Sequence, residues 1–82
     1  MIVAPVHHDI ILYLKKRGLL NKFNKQINLF QRNSKHPGLN VELLEPKEFK
    51  IYSFRVDKKY RAIFNYIAPQ IVEIIDVNNH YK

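Results

Sequence analysis

The first half of the chain has apolar residues at helical spacing. Within residues 19–33 the apolar side chains recur every three or four positions, at Leu20, Phe23, Ile27 and Phe30. This spacing places them on one face of a helix, with lysine and arginine side chains on the opposite face. A shorter helix is predicted over residues 10–17, capped by Asp9 and stopped by Gly18. The pattern therefore predicts two antiparallel helices joined at Gly18.

A short strand is predicted before the helices and a loop after them. Residues 2–7 are rich in branched apolar side chains, and Pro5 confines such a strand to a sheet edge or shortens it. The segment 33–38, NSKHPG, contains residues that favour turns and break regular structure. Residues 39–46, LNVELLEP, are compatible either with a short strand or with an irregular segment that crosses the core.

The second half of the chain has the pattern of a β-meander. Residues 49–56, 60–67 and 71–77 are rich in Ile, Val, Tyr and Phe, and the short connections DKK and APQ separate them. The order of elements is thus β, α, α, β, β, β in one α+β domain over residues 1–82. We expect a helical hairpin packed on one face of a mostly antiparallel, twisted sheet, because a chain of this length has room for one core.

The composition agrees with a small folded protein of the cytoplasm. Hydrophobic residues make up 46% of the 82 residues, enough for a core, in which we expect Tyr60 and Tyr66. The sequence has no cysteine, which excludes disulfides, thiolate zinc sites and thiol nucleophiles. Polar residues and Pro5 interrupt the apolar N-terminus, so we expect neither a signal peptide nor a membrane span.

The net charge of +7 is unevenly distributed. Residues 1–33 carry six basic and one acidic side chain, whereas residues 34–82 carry eight basic and six acidic ones. Such a balance favours an acidic partner, either nucleic acid or an acidic protein. The alternative is a helix face of solvated lysines without a binding role.

Two arginines lie six residues apart in the predicted hairpin YSFRVDKKYRAIFNY. With the three-residue loop DKK, Phe54 falls on the apolar face and Arg55 lies directly opposite Arg61 on the other face. Ser53 shares that second face. A two-residue loop would instead place Arg61 beside Phe54 in the core, where an unpaired charge is very costly.

Like charges directly opposite each other destabilise a sheet by a few tenths to about 1 kcal/mol unless an anion lies between them. Glu42 and Glu73 are candidate partners in a structural cluster of ion pairs. The alternative is a phosphate site, because guanidinium groups match phosphate oxygens in pairs and keep their charge.

The run HPGLNVELLEPKEFKIYSFRVDKKYRAIFNYI, together with the terminal NNHYK, resembles the RelE/ParE family of toxins from bacterial and archaeal toxin–antitoxin pairs. The resemblance covers most of the chain, and the YRAIF strand and the terminal histidine are its more specific parts. It implies the β, α, α, β, β, β fold predicted above, with the helices on one face of the sheet and RNA on the other. It also implies a reaction that requires no metal ion or cofactor.

Ribosome-dependent members of this family cut mRNA in the decoding site by attack of the ribose 2′-hydroxyl on the next phosphate. The resemblance implies that Arg55 and Arg61 stabilise the charge of the phosphorane and that Glu42 takes the 2′ proton. It implies that His80, beside Tyr81, is the general acid, as in the terminal His-Tyr pair of the YoeB branch. Further basic side chains are expected to contact the RNA backbone: Lys47, Lys50, Lys58 and Lys59.

Two features depart from the family pattern. RelE itself uses lysines in the strand before its arginines, whereas the nearest positions here are Ile51 and Ser53, so cleavage is expected to follow the YoeB scheme. Simple alternation also places Tyr81, rather than His80, on the arginine face. The strand must therefore bend or bulge near residues 78–79 for His80 to reach the site.

Two other functions stay open at this point. ParE-type toxins share the fold but inhibit DNA gyrase as binders, and a non-catalytic toxin-like module would only bind its antitoxin or RNA. In each case the apolar helical groove and the charge of +7 would suit an extended, acidic amphipathic antitoxin segment. The toxin is expected to be a monomer or homodimer within that complex, and the ribosome and mRNA are the expected partners of a nuclease.

Overall fold

The structure, a computed structural model, describes residues 1–79 and confirms the α+β architecture. Its helices and strands are β1 Ile2–Val3, α1 His8–Lys16, α2 Leu20–Arg32, β2 Glu42–Leu43, β3 Tyr52–Arg55, β4 Arg61–Ala68 and β5 Ile71–Asn78. Two 3-10 turns, Pro37–Leu39 and Lys47–Phe49, flank β2. The segment 39–46 therefore contains a short strand, which was one of the two structures compatible with its sequence.

The strands form one mixed sheet in the order β1-β5-β4-β3-β2. β1 is parallel to β5, and the other neighbouring strands are antiparallel. β1 lies at an edge and is short, as expected for a segment containing Pro5, which lacks a backbone N–H.

Helix α1 already begins at His8, so Asp9 lies inside its first turn, where its charge complements the helix dipole. The predictions that the strand extends to residue 7 and that Asp9 caps the helix are wrong.

Gly18 ends α1 with a positive φ of 66°. The Leu19 N–H donates to the Leu14 carbonyl at 2.9 Å, and the Gly18 N–H donates to the Lys15 carbonyl at 3.1 Å. These two bonds form a Schellman motif, in which glycine adopts the left-handed conformation without steric cost. The chain therefore turns directly into α2, which begins at Leu20.

The helices cover one face of the sheet. The ring centroid of Phe30 in α2 lies 5.5 Å from that of Phe54 in β3 and 5.2 Å from that of Phe64 in β4, and all three side chains are buried. Tyr60 packs against this core and is partly buried. The prediction that Tyr66 lies in the core is wrong, since 43% of its surface is exposed. Tyr66 and Phe30 line one open cleft, in which part of the tyrosine side chain is exposed.

Within residues 1–79 the helices pack on this face only, and on the other face Ser53, Arg61 and Ile63 are nevertheless buried. The two arginines of the predicted hairpin lie on that other face. Neither helix in this part of the chain has the length and apolar character needed to cross a membrane.

Candidate active site

The hairpin of β3 and β4 brings the two arginines into register. Arg55 faces Arg61, as the alternation of side chains predicted. The connection is the predicted three-residue loop, closed by a hydrogen bond of 2.9 Å from the Val56 N–H to the Tyr60 carbonyl. A shift of one residue would have placed Arg61 on the helix face, so burial of the apolar face selects this register.

The side chain of Asp57 shapes the loop. Its Oδ1 accepts hydrogen bonds of 2.8 Å from the backbone N–H groups of Lys59 and Tyr60, and its Oδ2 lies 3.9 Å from Nζ of Lys22 in α2. Partial burial by itself raises the pKa of Asp57, but the two backbone hydrogen bonds and the charges of Lys22 and Lys59 outweigh it, so that this pKa lies below the ordinary value of 3.8. A charged Asp57 therefore holds the turn that carries Lys58 and Lys59.

Arg61 is almost fully buried, with 7% of its surface exposed. Its Nε donates a hydrogen bond of 2.9 Å to the Ser53 hydroxyl, and its Nη2 donates to the carbonyl of Asn40. The Glu42 carboxylate lies 4.0 Å from the same Nη2. These acceptors offset the cost of burying a guanidinium. Arg61 thereby connects β4 to β3, to β2 and to the turn that precedes β2.

Arg55, by contrast, is exposed at the C-terminal end of β3. Its backbone is held from the helix side, because Nε2 of Gln26 in α2 donates to the Arg55 carbonyl at 2.8 Å. The same nitrogen donates to the carbonyl of Gly38 at 3.3 Å, in the turn that leads to Asn40. The two arginines thus differ in environment: Arg61 is enclosed by protein acceptors, while Arg55 presents its charge to solvent.

The side chains around the arginines enclose a cavity of about 130 Å³. Its walls are formed by Asn40, Glu42, Arg55, Asp57, Lys58, Lys59 and Arg61. Five of the site residues predicted from the sequence meet here, namely Glu42, Arg55, Lys58, Lys59 and Arg61. Four cationic and two anionic side chains share this wall, so the cavity suits an anion such as a phosphate.

Lys47 and Lys50 lie outside this cavity. They belong to the turn before β3, and the length of that strand separates them from Arg55 by at least about 10 Å, at 3.3 Å per residue. Lys50 instead lines a separate cleft of about 490 Å³ with Phe49 and Tyr66. The structure therefore does not bring these two lysines together with the arginines.

The two carboxylates considered as partners for the arginines have different neighbours. Glu42 lies beside Arg61, as described above. Glu73 is paired with His7, with 3.1 Å between Oε2 and Nε2, and it faces Asn65 across β4 and β5. Of the two candidate partners, Glu73 therefore pairs with His7 and Glu42 lies beside Arg61.

A β-bulge changes which side chains of β5 share the arginine face. Phe64 faces Ile74, whereas the preceding Ile63 faces Asp76, so that Ile75 is the extra residue. Asn78 consequently faces Arg61. The sequence analysis expected a bend or bulge near residues 78–79 that would let His80 reach the site. The structure instead has a bulge at Ile75, four residues before Asn79. His80 and Tyr81 themselves lie outside the described residues.

Three residues of the site were missed by the sequence analysis: Gln26, Asn40 and Asp57. Asp57 opens a hairpin loop, where aspartate commonly accepts hydrogen bonds from the backbone, so the sequence contained its signal. Asn40 has a φ of 46°, a conformation that asparagine tolerates better than most residues. Gln26 had no signal, because a glutamine on the polar side of a helix resembles any solvated residue.

Comparison with known proteins places these observations in a family. Residues 14–80 match the family model described as "RelE-like toxin of type II toxin-antitoxin system HigB". The YoeB/ParE toxin from Agrobacterium tumefaciens superposes with a TM-score of 0.70 at 18% identity, covering 98% of this chain and 96% of that chain. YafQ from E. coli strain BL21(DE3) superposes with a TM-score of 0.73 at 11% identity, covering 96% and 90%. At these identities the structures show a shared fold.

A relative with higher identity comes from Haemophilus influenzae. It is an uncharacterized protein that is 53% identical to this chain over 45 residues. The matched residues make up 55% of this chain and 39% of that protein. The chain thus spans well under two thirds of the length of this relative.

Proposed function

Since the chain belongs to the RelE-like toxins of type II toxin–antitoxin systems, we propose that it is an endoribonuclease that cleaves ribosome-bound mRNA in the cytoplasm. The observation that carries the proposal is the cavity that Arg55 and Arg61 share with Glu42. An exposed cation, a second cation fixed behind it and a carboxylate are groups that suit attack of a ribose 2′ oxygen on phosphorus with departure of the 5′ oxygen.

In the proposed reaction Arg55 contacts the scissile phosphate. A guanidinium stays charged at physiological pH and forms paired hydrogen bonds with phosphate oxygens. The exposure of Arg55 at a cavity of about 130 Å³ supports this assignment. Arg61 adds positive potential from beneath, and its bonds to Ser53 and Asn40 hold it there.

Glu42 is assigned as the general base. Its carboxylate is partly exposed beside the buried Arg61, at 4.0 Å, which orients it at the cavity wall. It takes the proton of the 2′-hydroxyl as the 2′ oxygen bonds to phosphorus. The bond from phosphorus to the 5′ oxygen then breaks, and a general acid protonates that oxygen. The products are a 2′,3′-cyclic phosphate and a free 5′-hydroxyl.

His80 is assigned as that general acid, with Tyr81 beside it, on the basis of the sequence. The bulge in β5 supports the assignment, because the strand then ends with Asn78 on the arginine face, two residues before His80 in the sequence.

The lysines are assigned two roles in RNA binding. Lys58 and Lys59, which line the arginine cavity, contact backbone phosphates next to the scissile one. Lys47 and Lys50 contact the RNA only where it continues past the far end of β3.

The reaction is tested by mapping mRNA ends after the purified chain is mixed with translating ribosomes. The parent protein is expected to create new ends, and Arg55→Ala is expected to reduce them by about 100-fold or more. Arg32→Ala, which removes an exposed arginine at the end of α2, is the matched control and should cleave as the parent does. Unchanged mRNA ends, under conditions in which a related toxin cuts, would overturn the proposal. Inhibition of gyrase supercoiling by the same sample would then identify a ParE-type toxin.

An acidic antitoxin is proposed as the protein partner. YoeB from Staphylococcus aureus has been solved as a heterotetrameric complex with YefM, at 20% identity to this chain. Here a groove of about 410 Å³ along α1 combines the exposed apolar Leu12 with Lys16, Arg17 and Asp9, and its lining has a net positive charge that suits an acidic amphipathic segment. Failure of the chain to copurify at any salt concentration with the product of the adjacent gene would contradict this assignment.

A further inference from the structure

A cleft of about 500 Å³ opens beyond the C-terminal end of α2. The helix ends at Arg32, two residues after the buried Phe30, whereas β4 continues to Ala68. Phe30 therefore packs on Phe64, while Tyr66, two residues further along the same face of β4, is 43% exposed. We call this opening the α2-end cleft, and its lining includes Tyr66, Val41, Lys35, His36 and Asn40.

Tyr66 supplies the α2-end cleft with an aromatic ring that its neighbours hold in place. The ring centroid lies 5.5 Å from that of Tyr52 and 6.2 Å from that of Phe64. Val41, 40% of whose surface is exposed, adds an apolar side chain to the same cleft. An exposed aromatic ring is a surface on which an unpaired nucleobase stacks. This wall of the cleft therefore suits the base of a nucleotide.

Lys35 and His36 give the α2-end cleft positive charge and hydrogen-bond donors. Nδ1 of His36 accepts a hydrogen bond of 2.9 Å from the Gly38 N–H. A neutral imidazole that accepts at Nδ1 carries its proton on Nε2, so His36 offers a donor there. Lys35 is exposed, and no acidic side chain lines the cleft in the part of the chain that the structure describes. These groups suit a phosphate.

Asn40 connects the α2-end cleft with the arginine cavity. It lines both, and its carbonyl accepts a hydrogen bond from Arg61. Its own N–H donates to the Pro37 carbonyl at 3.1 Å, which closes the turn between the two openings. An RNA strand that leaves the arginine cavity past Asn40 reaches Tyr66, and beyond it the second cleft that Tyr66 lines with Lys50. The same path accounts for the role assigned to Lys50.

We propose that the α2-end cleft binds one of the unpaired nucleotides that flank the scissile phosphate. The base of this nucleotide stacks on Tyr66, and its phosphate is contacted by Lys35 and His36. A nucleotide uses both the aromatic ring and the positive charge of the cleft, whereas an acidic peptide segment needs only the charge. The inference rests on the proposed function, because it takes RNA as the ligand of the arginine cavity.

The stacking contact is tested by fluorescence anisotropy with a labelled RNA tetranucleotide whose 2′-hydroxyls are methylated, so that it binds without being cleaved. Tyr66→Ala is expected to weaken binding by about 5- to 100-fold, the range found for loss of one stacked base. Tyr66→Phe keeps the ring and should bind as the parent does. Circular dichroism checks that both variants are folded.

The phosphate contact is tested by the salt dependence of the same binding. Lys35→Ala is expected to reduce the slope of log affinity against log salt concentration by about 0.7, the value for one phosphate contact on a single strand. Lys25→Ala removes an exposed lysine of α2 that does not line the cleft, and it should leave the slope unchanged.

Failure of this inference can be told apart from failure of the proposed function. Equal affinities of the parent, Tyr66→Ala and Lys35→Ala, or no binding of the tetranucleotide at low salt, would overturn the inference even if the parent cleaves mRNA. Binding that depends on Tyr66 and Lys35, in a chain that leaves mRNA ends unchanged, would support the inference and reject the nuclease.

Two further outcomes would assign the α2-end cleft differently. Weaker binding by Phe49→Ala, with no change in Lys35→Ala, would place the base in the neighbouring cleft that Phe49 lines, and would overturn the inference. A polyglutamate peptide whose binding Tyr66→Ala weakens as much as that of the tetranucleotide would assign the cleft to an acidic protein, and would overturn it as well.

Discussion

The side-chain amide of Gln26 donates a hydrogen bond of 2.8 Å to the carbonyl oxygen of Arg55. The same nitrogen donates to Gly38, at the start of the turn whose Asn40 accepts from Arg61. A residue on the helix side of the sheet therefore holds both the backbone of Arg55 and the turn that leads to the acceptor of Arg61, although it does not line the cavity between the arginines.

Gln26→Ala is expected to lower mRNA cleavage by about 10- to 100-fold, because a small displacement of a catalytic group has effects of that size. The free energy of unfolding should fall by only about 1 kcal/mol, the contribution of an ordinary hydrogen bond. Gln31→Ala is the matched control, since Gln31 accepts a hydrogen bond of 3.1 Å from the Val3 N–H, away from the site. It should show a similar loss of stability with normal cleavage. Equal losses of cleavage in both variants would mean that Gln26 has no special role in the site.

Arg55→Ala and Arg61→Ala should differ in stability. Removal of the buried Arg61 leaves the buried Ser53 hydroxyl without its 2.9 Å donor, and we expect a loss of about 2 to 3 kcal/mol in the free energy of unfolding. Removal of the exposed Arg55 should change it by less than about 0.5 kcal/mol. Urea denaturation of the two variants measures the difference, and similar values would contradict the division of roles between the arginines.

The stability that Asp57 contributes should depend on pH. Its pKa in the folded state is below the ordinary value of 3.8, so the unfolded chain binds the proton more readily. The contribution is therefore fully present above the unfolded value and is lost as the pH falls through the folded value. The difference in unfolding free energy between the parent and Asp57→Ala should be constant above about pH 5 and should shrink on acidification below it. A difference that grows on acidification would have the wrong sign.

Gly18→Ala is expected to destabilise the chain by about 1 to 2 kcal/mol, because alanine is strained at the φ of 66° found there. Beyond the residues adjacent in sequence, no atom lies within 4 Å of an added Cβ, so the cost comes from the local backbone conformation and not from tertiary contacts. Gly18→Asn should recover part of the loss, since asparagine tolerates this conformation better. Thermal unfolding measures both, and a parent-like melting temperature for the alanine variant would contradict the role of Gly18 in ending α1.

His80→Ala is expected to abolish growth arrest and mRNA cleavage, whereas Tyr81→Ala should retain most of both. The assignment of His80 as the general acid gives this order. The two variants are compared by growth on expression and by mapping of mRNA ends. The reverse order would show that Tyr81 is the residue that reaches the arginine cavity.

The sequence was sufficient for the parts of the fold that depend on local periodicity. The spacing of Phe23 and Phe30 predicted α2, and the alternation around DKK predicted the pairing of Arg55 with Arg61, because a slip of one residue would place Arg61 on the apolar helix face. The YRAIF strand and its surroundings resemble the RelE/ParE toxins, and this resemblance predicted the family. The match of residues 14–80 to a RelE-like toxin model confirms it.

Only the tertiary structure determines that Arg61 is buried and Arg55 is exposed. The acceptors around Arg61 come from β3, β2 and the turn before β2, which are distant in sequence and meet only when the sheet is assembled. No periodicity could distinguish the buried arginine from the exposed one, because both occupy the same face in the same register. For the same reason, the sequence pattern did not predict the bulge at Ile75 or the exposure of Tyr66. A pattern along the chain determines which face a side chain occupies, whereas its burial depends on the segments that later pack over that face.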